Sequence, residues 1–235
     1  MLALFTTAVL SGKKKEQIIE MDNHRFRQSV FHRNQLDVWV SLFSSPDLPG
    51  HAAANSAFDD AFQNARGFIK FAYLDSEKCV KTPRRIGIRK LPAFCIFHPN
   101  GQTCVPGNIS GRDLVNKISL FYPDFSKPLD KQWVDDINEP LVVLFSEKKK
   151  PSMMWSAISN AFYKHPIRVG YSTDHELAER LGVKEFPAII MRNATHRIEY
   201  EGETKFVELK DTIKRFMQKK LQSLPHGLKI YSLKE

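Results

Sequence analysis

Three cysteines, Cys79, Cys95 and Cys104, are the residues of this sequence best suited to covalent chemistry. Thiols exchange disulfides or bind zinc, and both roles need several ligands or sulfurs held close together. The three form no Cys-x-x-Cys motif, and their odd number argues against a disulfide framework. Cys95, His98 and Cys104 fall on one predicted hairpin and could form part of a zinc site, but a fourth ligand is not obvious. Because Cys95 alternates into an apolar strand, we predict buried free thiols, no metal site and no cofactor.

Two short motifs bear on the cellular compartment. Asn108 and Asn193 each begin an Asn-x-Ser/Thr sequon, so both are candidate N-glycosylation sites that fit a secretory route. Residues 1–12 contain an apolar run that is too short to span a bilayer. Two interpretations of this run stay open, because its lysines follow it instead of preceding it: a signal peptide, or a first strand that is retained. The first places the protein in the endoplasmic reticulum lumen or outside the cell, and the second in the cytoplasm.

One segment, which includes the strand of Cys95, is repeated along the chain. A basic helix end, a glycine, an apolar residue, a proline and an apolar strand occur twice, at one shared offset of about 95 residues. Proline is tolerated at the first position of a strand, where the ladder loses little from its missing N–H. The matched residues are Arg85, Gly87, Pro92 and Ala93 in the first copy, and Arg180, Gly182, Pro187 and Ala188 in the second.

Each copy lies in a series of apolar strands that alternate with amphipathic helices. This alternation, finished by a hairpin and a closing helix, predicts an α/β fold. We predict two tandem domains over residues 15–122 and 139–222, joined by a linker over residues 123–138. Residues 223–235 are predicted to be a tail.

Composition is that of a soluble globular protein with a basic surface. The 235 residues carry a formal net charge of +9, which favours acidic partners. The basic residues are dispersed in several short runs, and no nucleic-acid-binding motif accompanies them. We therefore predict no nucleic-acid partner.

The helix, the apolar-Pro-Ala segment and the hairpin resemble the thioredoxin fold, and the pair of copies resembles the protein disulfide isomerase family. The resemblance covers nearly the whole chain and implies two tandem thioredoxin-like domains, each a mixed central sheet flanked by helices, with the repeated prolines usually cis. Active members carry Pro-Trp-Cys-Gly-His-Cys after the central strand. Here the corresponding segment ends Pro49-Gly50-His51-Ala52, so Pro49 and Ala52 occupy the positions of the two redox cysteines. The second loop, residues 146–152, also lacks cysteine.

The resemblance implies a protein that is not an enzyme, because dithiol exchange needs two thiols at the helix N-terminus. What remains is the family's other property, the binding of unfolded or partner polypeptides as a chaperone or scaffold in the secretory pathway. In active relatives the residue before the cis-proline offers its backbone to an extended substrate. The candidate peptide-binding residues are Leu91, Pro92, Phe186, Pro187, Met153, Met154 and Trp155.

Two other hypotheses compete with this one. A lone thiol, with Cys79 as the candidate, could act as a redox sensor or in an oxidoreductase. Alternatively, the protein is a structural subunit whose basic surface docks on an acidic partner. Binding through charge would fall steeply with salt, whereas binding in an apolar groove would not.

Overall fold

The structure is a computed structural model that describes residues 17–136, 139–218 and 228–232. Its strands form two mixed sheets, one of five strands in the order β1-β3-β2-β4-β5 and one of six in the order β11-β10-β9-β7-β8-β6. Helices pack on both faces of each sheet, which confirms the predicted α/β class. The candidate signal peptide, residues 1–12, lies outside the described residues.

The first sheet is built around β2, a buried central strand. The strands are β1 (Ile19–Glu20), β2 (Trp39–Ser44), β3 (Lys70–Asp75), β4 (Ala93–His98) and β5 (Gly101–Pro106). The helices are α1 (Asn23–Phe26), which continues as a π-helical turn over Arg27–Phe31, α2 (His51–Ala65), α3 (Lys81–Ile86) and α4 (Gly111–Ser119). All six residues of β2 are buried, as expected for a strand covered on both faces.

Alternating residues of β2 enter two separate cores. Val40 and Leu42 pack beneath α2 and α4, whereas Trp39 and Phe43 pack with Phe26 on the α1 side. The alternation follows from the two-residue period of a strand. The first domain therefore has a helical layer on each face of its sheet, and its loops meet at the ends of the strands.

The second sheet repeats this plan around β7. The strands are β6 (Lys127–Pro128), β7 (Leu141–Phe145), β8 (Arg168–Ser172), β9 (Ala188–Arg192), β10 (His196–Tyr200) and β11 (Leu228–Ser232). The helices are α5 (Lys131–Asp135), α6 (Met153–Phe162), α7 (His175–Arg180) and α8 (Phe206–Met217). None of the helices in the described part of the chain is long and apolar enough to cross a membrane.

Two segments outside the predicted domain cores also belong to the second sheet. Strand β6 and helix α5 fall within the predicted linker, and β6 pairs in parallel with β8. Helix α5 is held against the sheet by Arg192 on β9. Its guanidinium donates hydrogen bonds to the carbonyls of Trp133, at 2.9 Å, and Asp136, at 2.8 Å. Strand β11 falls within the predicted tail and pairs antiparallel with β10. Local sequence gives little sign of either strand, since β6 has only two residues and pairs with a strand far along the chain.

The two domains share apolar contacts. Phe68 packs against Phe206 of α8, with 5.3 Å between ring centroids, and against Tyr122, at 5.7 Å. Tyr122 contacts both cores, and its burial raises the pKa of its phenol to about 12. Met153, at the start of α6, packs on the core of the first domain.

Candidate functional site

A cleft of about 550 Å³ opens beside Pro92 in the first domain. Three segments meet there: the loop before α2, the loop before β4, and the loop that joins β5 to α4. The lining residues are Pro49, Gly50, Ala53, Lys90, Leu91, Pro92, Pro106, Gly107 and Asn108. The cleft thus brings together three separate segments of the sequence, residues 49–53, 90–92 and 106–108, at the end of one sheet.

The peptide bond between Leu91 and Pro92 is cis, as is the one between Phe186 and Pro187. Both agree with the geometry that the family resemblance implied. Pro92 leads directly into β4, whose first residue, Ala93, pairs with Phe43 of β2. The cis-proline therefore lies at the end of the central strands, next to the start of α2.

Gly107 fits closely against Pro92. Its N–H donates a 2.8 Å hydrogen bond to the carbonyl of Pro92. A Cβ atom at Gly107 would lie 2.7 Å from Cβ of Pro92 and 2.8 Å from its carbonyl carbon and oxygen, distances that folded proteins do not allow. Glycine is required here because of this close approach of two backbones.

The loop before α2 forms the opposite rim. Gly50 precedes α2 with a positive φ of 85°, and a Cβ at this position would lie 4.0 Å from Cδ of Pro92. Pro49 and Ala52, the predicted counterparts of the redox cysteines, are both exposed. His51 turns away from the rim, because its Nδ1 lies 2.9 Å from the Oγ of buried Ser44. The rim is therefore made of small and apolar groups.

Leu91 presents unused backbone groups at this cleft. Among the residues that the structure describes, neither its N–H nor its carbonyl makes a hydrogen bond. Its side chain packs partly against the α1-side core, which fixes the position of the backbone. A polar backbone group left in such a place is normally satisfied by water or by a ligand.

In the second domain an aromatic residue, Phe186, precedes the cis-proline, and it packs on the core on the α7 side of the sheet. The ring of Phe186 stacks on His175, with 4.3 Å between centroids and 8° between planes, and lies 5.8 Å from the ring of Phe145. Nε2 of His175 in turn lies 3.4 Å from a carboxylate oxygen of Glu147 in the loop after β7. Pro187 itself is exposed.

The other peptide-binding candidates belong to the first turn of α6. Trp155 is fully buried, and its indole N–H donates to the carbonyl of Gly170 at 3.1 Å. This corrects the expectation for Trp155, which has no surface to offer a peptide. Met153 packs on the first domain and Met154 packs on the second core.

The prediction of three free thiols is wrong, since Cys95 and Cys104 form a disulfide across the β4–β5 hairpin. They are directly opposite each other in the register of the two strands. The disulfide uses both sulfurs of the set that the sequence analysis considered for zinc, and no metal-binding group of side chains occurs in the described segments. His98 is instead buried, with its ring stacked on Phe121 at 4.4 Å.

The prediction that the protein is not an enzyme is also wrong. It rested on the missing Cys-x-x-Cys motif at the two helix N-termini, and the structure has a cysteine pair elsewhere. The Cys95–Cys104 disulfide supplies one without a Cys-x-x-Cys spacing. Cys95 is buried, whereas Cys104 is exposed, so the pair can be approached from one side. The odd cysteine count hid this pair, and the register of the hairpin was the signal that could have found it.

Cys79 is the remaining free cysteine, and it is buried. Its thiol lies 3.6 Å from the carbonyl of Met21, to which it donates. Burial raises the pKa of this thiol. Since the thiolate is the reactive form, these surroundings disfavour the lone-thiol role considered for Cys79.

The two sequons occupy different kinds of loop. Asn108 is exposed at the rim of the Pro92 cleft. Asn193 is half-buried in the β9–β10 turn, where its Oδ1 accepts hydrogen bonds from the N–H groups of Thr195 and His196 at 3.0 and 2.8 Å. Glycosylation of either remains a prediction.

Sequence reasoning missed Lys90, Pro106 and Gly107 as part of the site. A signal for the last two existed, because the Pro99-Asn100-Gly101 turn sets the register of the hairpin. In that register Pro106 lies opposite Ala93, and the next residue must therefore pass beside Pro92.

Comparison with known proteins supports the fold more strongly than the function. No family model matches the chain. A curated relative, the DnaJ protein ERDJ3A of Oryza sativa subsp. japonica, is 26% identical over 182 residues, which cover 70% of this chain and 31% of that protein. The chain thus spans about a third of the length of this relative.

Solved structures of ERdj5 resemble the chain over most of its length. Full-length ERdj5 matches with a TM-score of 0.62 and 14% identity, covering 86% of this chain and 32% of that one. ERdj5 form I matches with a TM-score of 0.59 and 15% identity, covering 88% of this chain and 30% of that one. The chain therefore has the fold that the protein disulfide isomerase resemblance implied, two tandem thioredoxin-like domains.

Proposed function

We propose that this protein binds extended segments of unfolded or partner polypeptides at the Pro92 cleft. The observation that carries the proposal is the unused backbone of Leu91 at the edge of an open cavity of about 550 Å³. A peptide strand lying along Leu91 would pair with these backbone groups, in the manner of β-augmentation. Such pairing needs no particular sequence in the partner, which suits a chaperone or scaffold.

The walls of the cleft suit the side chains of such a strand. Pro49, Ala53 and Pro106 offer apolar surface without hydrogen-bonding side chains, and Lys90 offers a cation at one end. Most ligand sites combine a mainly apolar wall with a few polar groups that set orientation. Here the backbone of Leu91 supplies those polar groups.

The relatives support a place in the endoplasmic reticulum. The curated relative is named as a DnaJ protein ERDJ3A, and the fold is shared with ERdj5. We propose that this protein likewise works in that compartment, where unfolded chains are the abundant partners. Its activity is proposed for the two domains of this chain, which correspond to only about a third of those longer proteins.

A pair of neighbouring alanines provides a matched test. Ala53 and Ala52 are both exposed on the first turn of α2, but only Ala53 lines the cleft. Ala53→Trp should fill the cavity and weaken binding of a reduced, carboxymethylated client protein by about tenfold, a free-energy loss of about 1.4 kcal/mol. Ala52→Trp should leave the affinity within about twofold, which is below the energy of a typical hot spot.

Fluorescence anisotropy of a labelled client would measure both variants, and circular dichroism would verify their folding. An Ala53→Trp protein that is folded and binds as tightly as the wild type would rule out the cleft. Equal losses for the two variants would place the contact on the outer face of α2 instead.

The disulfide favours a second candidate function, thiol–disulfide exchange at Cys95–Cys104. An external thiolate of a dithiol reductant would attack Sγ of exposed Cys104, and Cys95 would leave as a thiolate and take up a proton. The second thiol of the reductant would then release Cys104, so that two electrons pass from the dithiol to the disulfide.

Mass spectrometry after incubation with a reduced thioredoxin and thiol alkylation would test this candidate. Two newly alkylated cysteines are expected in the native protein, and Cys95→Ser/Cys104→Ser should abolish the signal while Cys79→Ser retains it. A disulfide that stays intact until the protein unfolds would exclude exchange at this pair.

A further inference from the structure

Two adjoining depressions lie between the π-helical turn after α1 and helix α3, with volumes of about 390 and 270 Å³. Arg27, Phe31 and Arg85 border both of them and separate one from the other. We call the two depressions together the basic groove. Its other lining residues are His32, Ile86 and Gln102 in the first depression, and Asn23, His24, Lys81 and Thr82 in the second.

The basic groove is lined by several cations and by no acidic residue. Arg27, Lys81 and Arg85 are all exposed, and no Asp or Glu is among the lining residues. In the part of the chain that the structure describes, none of these three cations makes an ion pair within 4.0 Å. Two acidic residues elsewhere in this domain make ion pairs with other lysines, Asp37 with Lys70 and Asp75 with Lys78.

An aromatic side chain supplies apolar surface between these cations. The guanidinium of Arg85 lies over the ring of Phe31, 5.2 Å from its centroid. Phe31 is itself held by edge-to-face contacts with Phe26, at 5.4 Å, and Phe97, at 6.1 Å. Core packing therefore fixes the position of the Phe31 ring beneath Arg85.

Two features distinguish the basic groove from an ordinary charged surface. Arg27 and Phe31 come from a single π-helical turn, a rare structure that occurs frequently at functional sites. The amide of Gln102 on β5 donates to the carbonyl of Ile86 at 3.2 Å, which ties the end of α3 to the sheet. Both walls of the groove are thus held in place.

The basic groove is on the opposite face of the first sheet from the α2 and α4 layer. Phe26 and Phe31 belong to the α1-side core, whereas α2, which borders the Pro92 cleft, covers the other core. A ligand in the groove would therefore leave the cleft free. The inference does not rest on the proposed client binding.

We propose that the basic groove docks an acidic segment of a partner polypeptide. Carboxylates of the partner would lie between Arg27, Lys81 and Arg85, and an apolar side chain would cover Phe31 and Ile86. Charge-assisted hydrogen bonds from guanidinium groups to carboxylates are short and orient the partner. The attraction also increases the rate of encounter and selects against basic partners.

The dimensions favour a polypeptide over a nucleic acid. Each depression is near the lower limit of ligand-site volumes, so each accommodates a side chain better than a duplex. Duplex binding uses a stripe of many phosphate contacts, whereas this surface is one π-helical turn and a helix of six residues. The apolar patch on Phe31 also has no partner on a phosphate backbone.

A labelled peptide of repeated Glu-Asp-Leu triplets is the probe for this surface, and a Lys-Lys-Leu peptide of equal length is its control. Reversal of two groove charges, Arg27→Glu with Arg85→Glu, should weaken binding of the acidic peptide by about tenfold or more. The matched control is Arg66→Glu with Arg112→Glu, which changes the net charge equally at exposed positions on the other helical layer. That control should change the affinity by less than about threefold, because the substituted charges act on the peptide only through their long-range electrostatic field.

Three results would overturn the proposal. One is equal weakening by the groove and control pairs, which would indicate only net charge. Another is binding of the basic control peptide as tightly as the acidic one. The third is failure of the acidic peptide to bind while a DNA duplex or vesicles containing phosphatidylserine bind in a manner that depends on Arg27 and Arg85.

Lys81→Glu keeps the test decisive if the double variant does not fold. Lys81 is exposed and makes no ion pair in the described segments, so its reversal should leave circular dichroism and thermal unfolding unchanged. A folded Lys81→Glu protein should still bind the acidic peptide several-fold more weakly, because a contact charge is reversed. Unchanged affinity in this variant would count against the basic groove.

Discussion

The two cis-proline sites have the same backbone plan but different contents. Each proline directly precedes the strand that pairs antiparallel with the central strand of its sheet, β4 with β2 and β9 with β7. Beside Pro92 this plan leaves a cleft of about 550 Å³. Beside Pro187 the ring of Phe186 is stacked on His175 instead.

The side chain before the proline differs between the two sites. Leu91 turns partly into the α1-side core and leaves its backbone at the cleft. Phe186 packs on the corresponding core of the second domain, between the rings of His175 on α7 and Phe145 on β7. The residues before the two prolines thus occupy corresponding positions, and they differ in size and in the ring contacts that Phe186 makes.

The largest effect on stability that we expect comes from a substitution at Gly107, whose backbone packs closely against Pro92. Gly107→Ala places a Cβ atom 2.7 Å from Cβ of Pro92, so the β5–α4 loop must move and the hydrogen bond to the Pro92 carbonyl weakens. We expect a loss of about 2–4 kcal/mol in the free energy of unfolding, as for other substitutions that overpack a close contact. Urea denaturation followed by tryptophan fluorescence would measure it.

Asn108→Ala is the control for this substitution, because Asn108 is the exposed neighbour of Gly107. Its effect should stay within about 0.5 kcal/mol, as is usual for surface changes. Comparable changes in the free energy of unfolding for the two variants would mean that the β5–α4 loop moves at little energetic cost. Gly107 would then not define the shape of the cleft.

The features that sequence reasoning found share one property, which is that they depend on local pattern. The repeat around Pro92 and Pro187 predicted two domains of one fold, and apolar runs such as residues 38–43 located the central strands. Strand β6, by contrast, exists only because β8 offers it an edge. A two-residue strand has no periodicity, so its pairing could not be predicted from its own residues.

The candidate site was only partly predictable for a related reason. Leu91 and Pro92 are marked by their motif, but Gly107 and Asn108 reach the cleft through the hairpin register. The Cys95–Cys104 pair depends on that register as well, and counting cysteines concealed it. The basic groove needs α1 and α3 to meet on one face, which composition alone does not specify.

Exchanging the residues before the two prolines would test the comparison directly. Phe186→Leu removes the stack on His175 and the contact with Phe145, each worth about 0.5–1.5 kcal/mol beyond area burial. We expect a destabilisation of about 1–2 kcal/mol from these losses. In an Ala53→Trp background, Phe186→Leu should also restore part of the client binding, because it gives the second cis-proline the same preceding residue as the first.

The reciprocal change, Leu91→Phe, should reduce client binding in the otherwise native protein by filling the first cleft. Anisotropy titrations and urea denaturation would report the two quantities separately. If Phe186→Leu restores no binding although it is folded, the aromatic stack is not what separates the sites, and the loop before each helix becomes the deciding feature.

The smallest effect should come from the contact between His175 and Glu147, next to the second cis-proline. His175 and Glu147 are 72% and 71% exposed, so solvent screens the 3.4 Å contact between them. Glu147→Gln should change the free energy of unfolding by less than about 0.5 kcal/mol, because exposed pairs contribute little. Urea denaturation in low salt and in 1 M salt would measure the change, with Glu179→Gln on the exposed side of α7 as the control. A loss several times larger would show that Glu147 fixes the His175 ring on Phe186, and that the charged loop, together with the aromatic residue, keeps the second site closed.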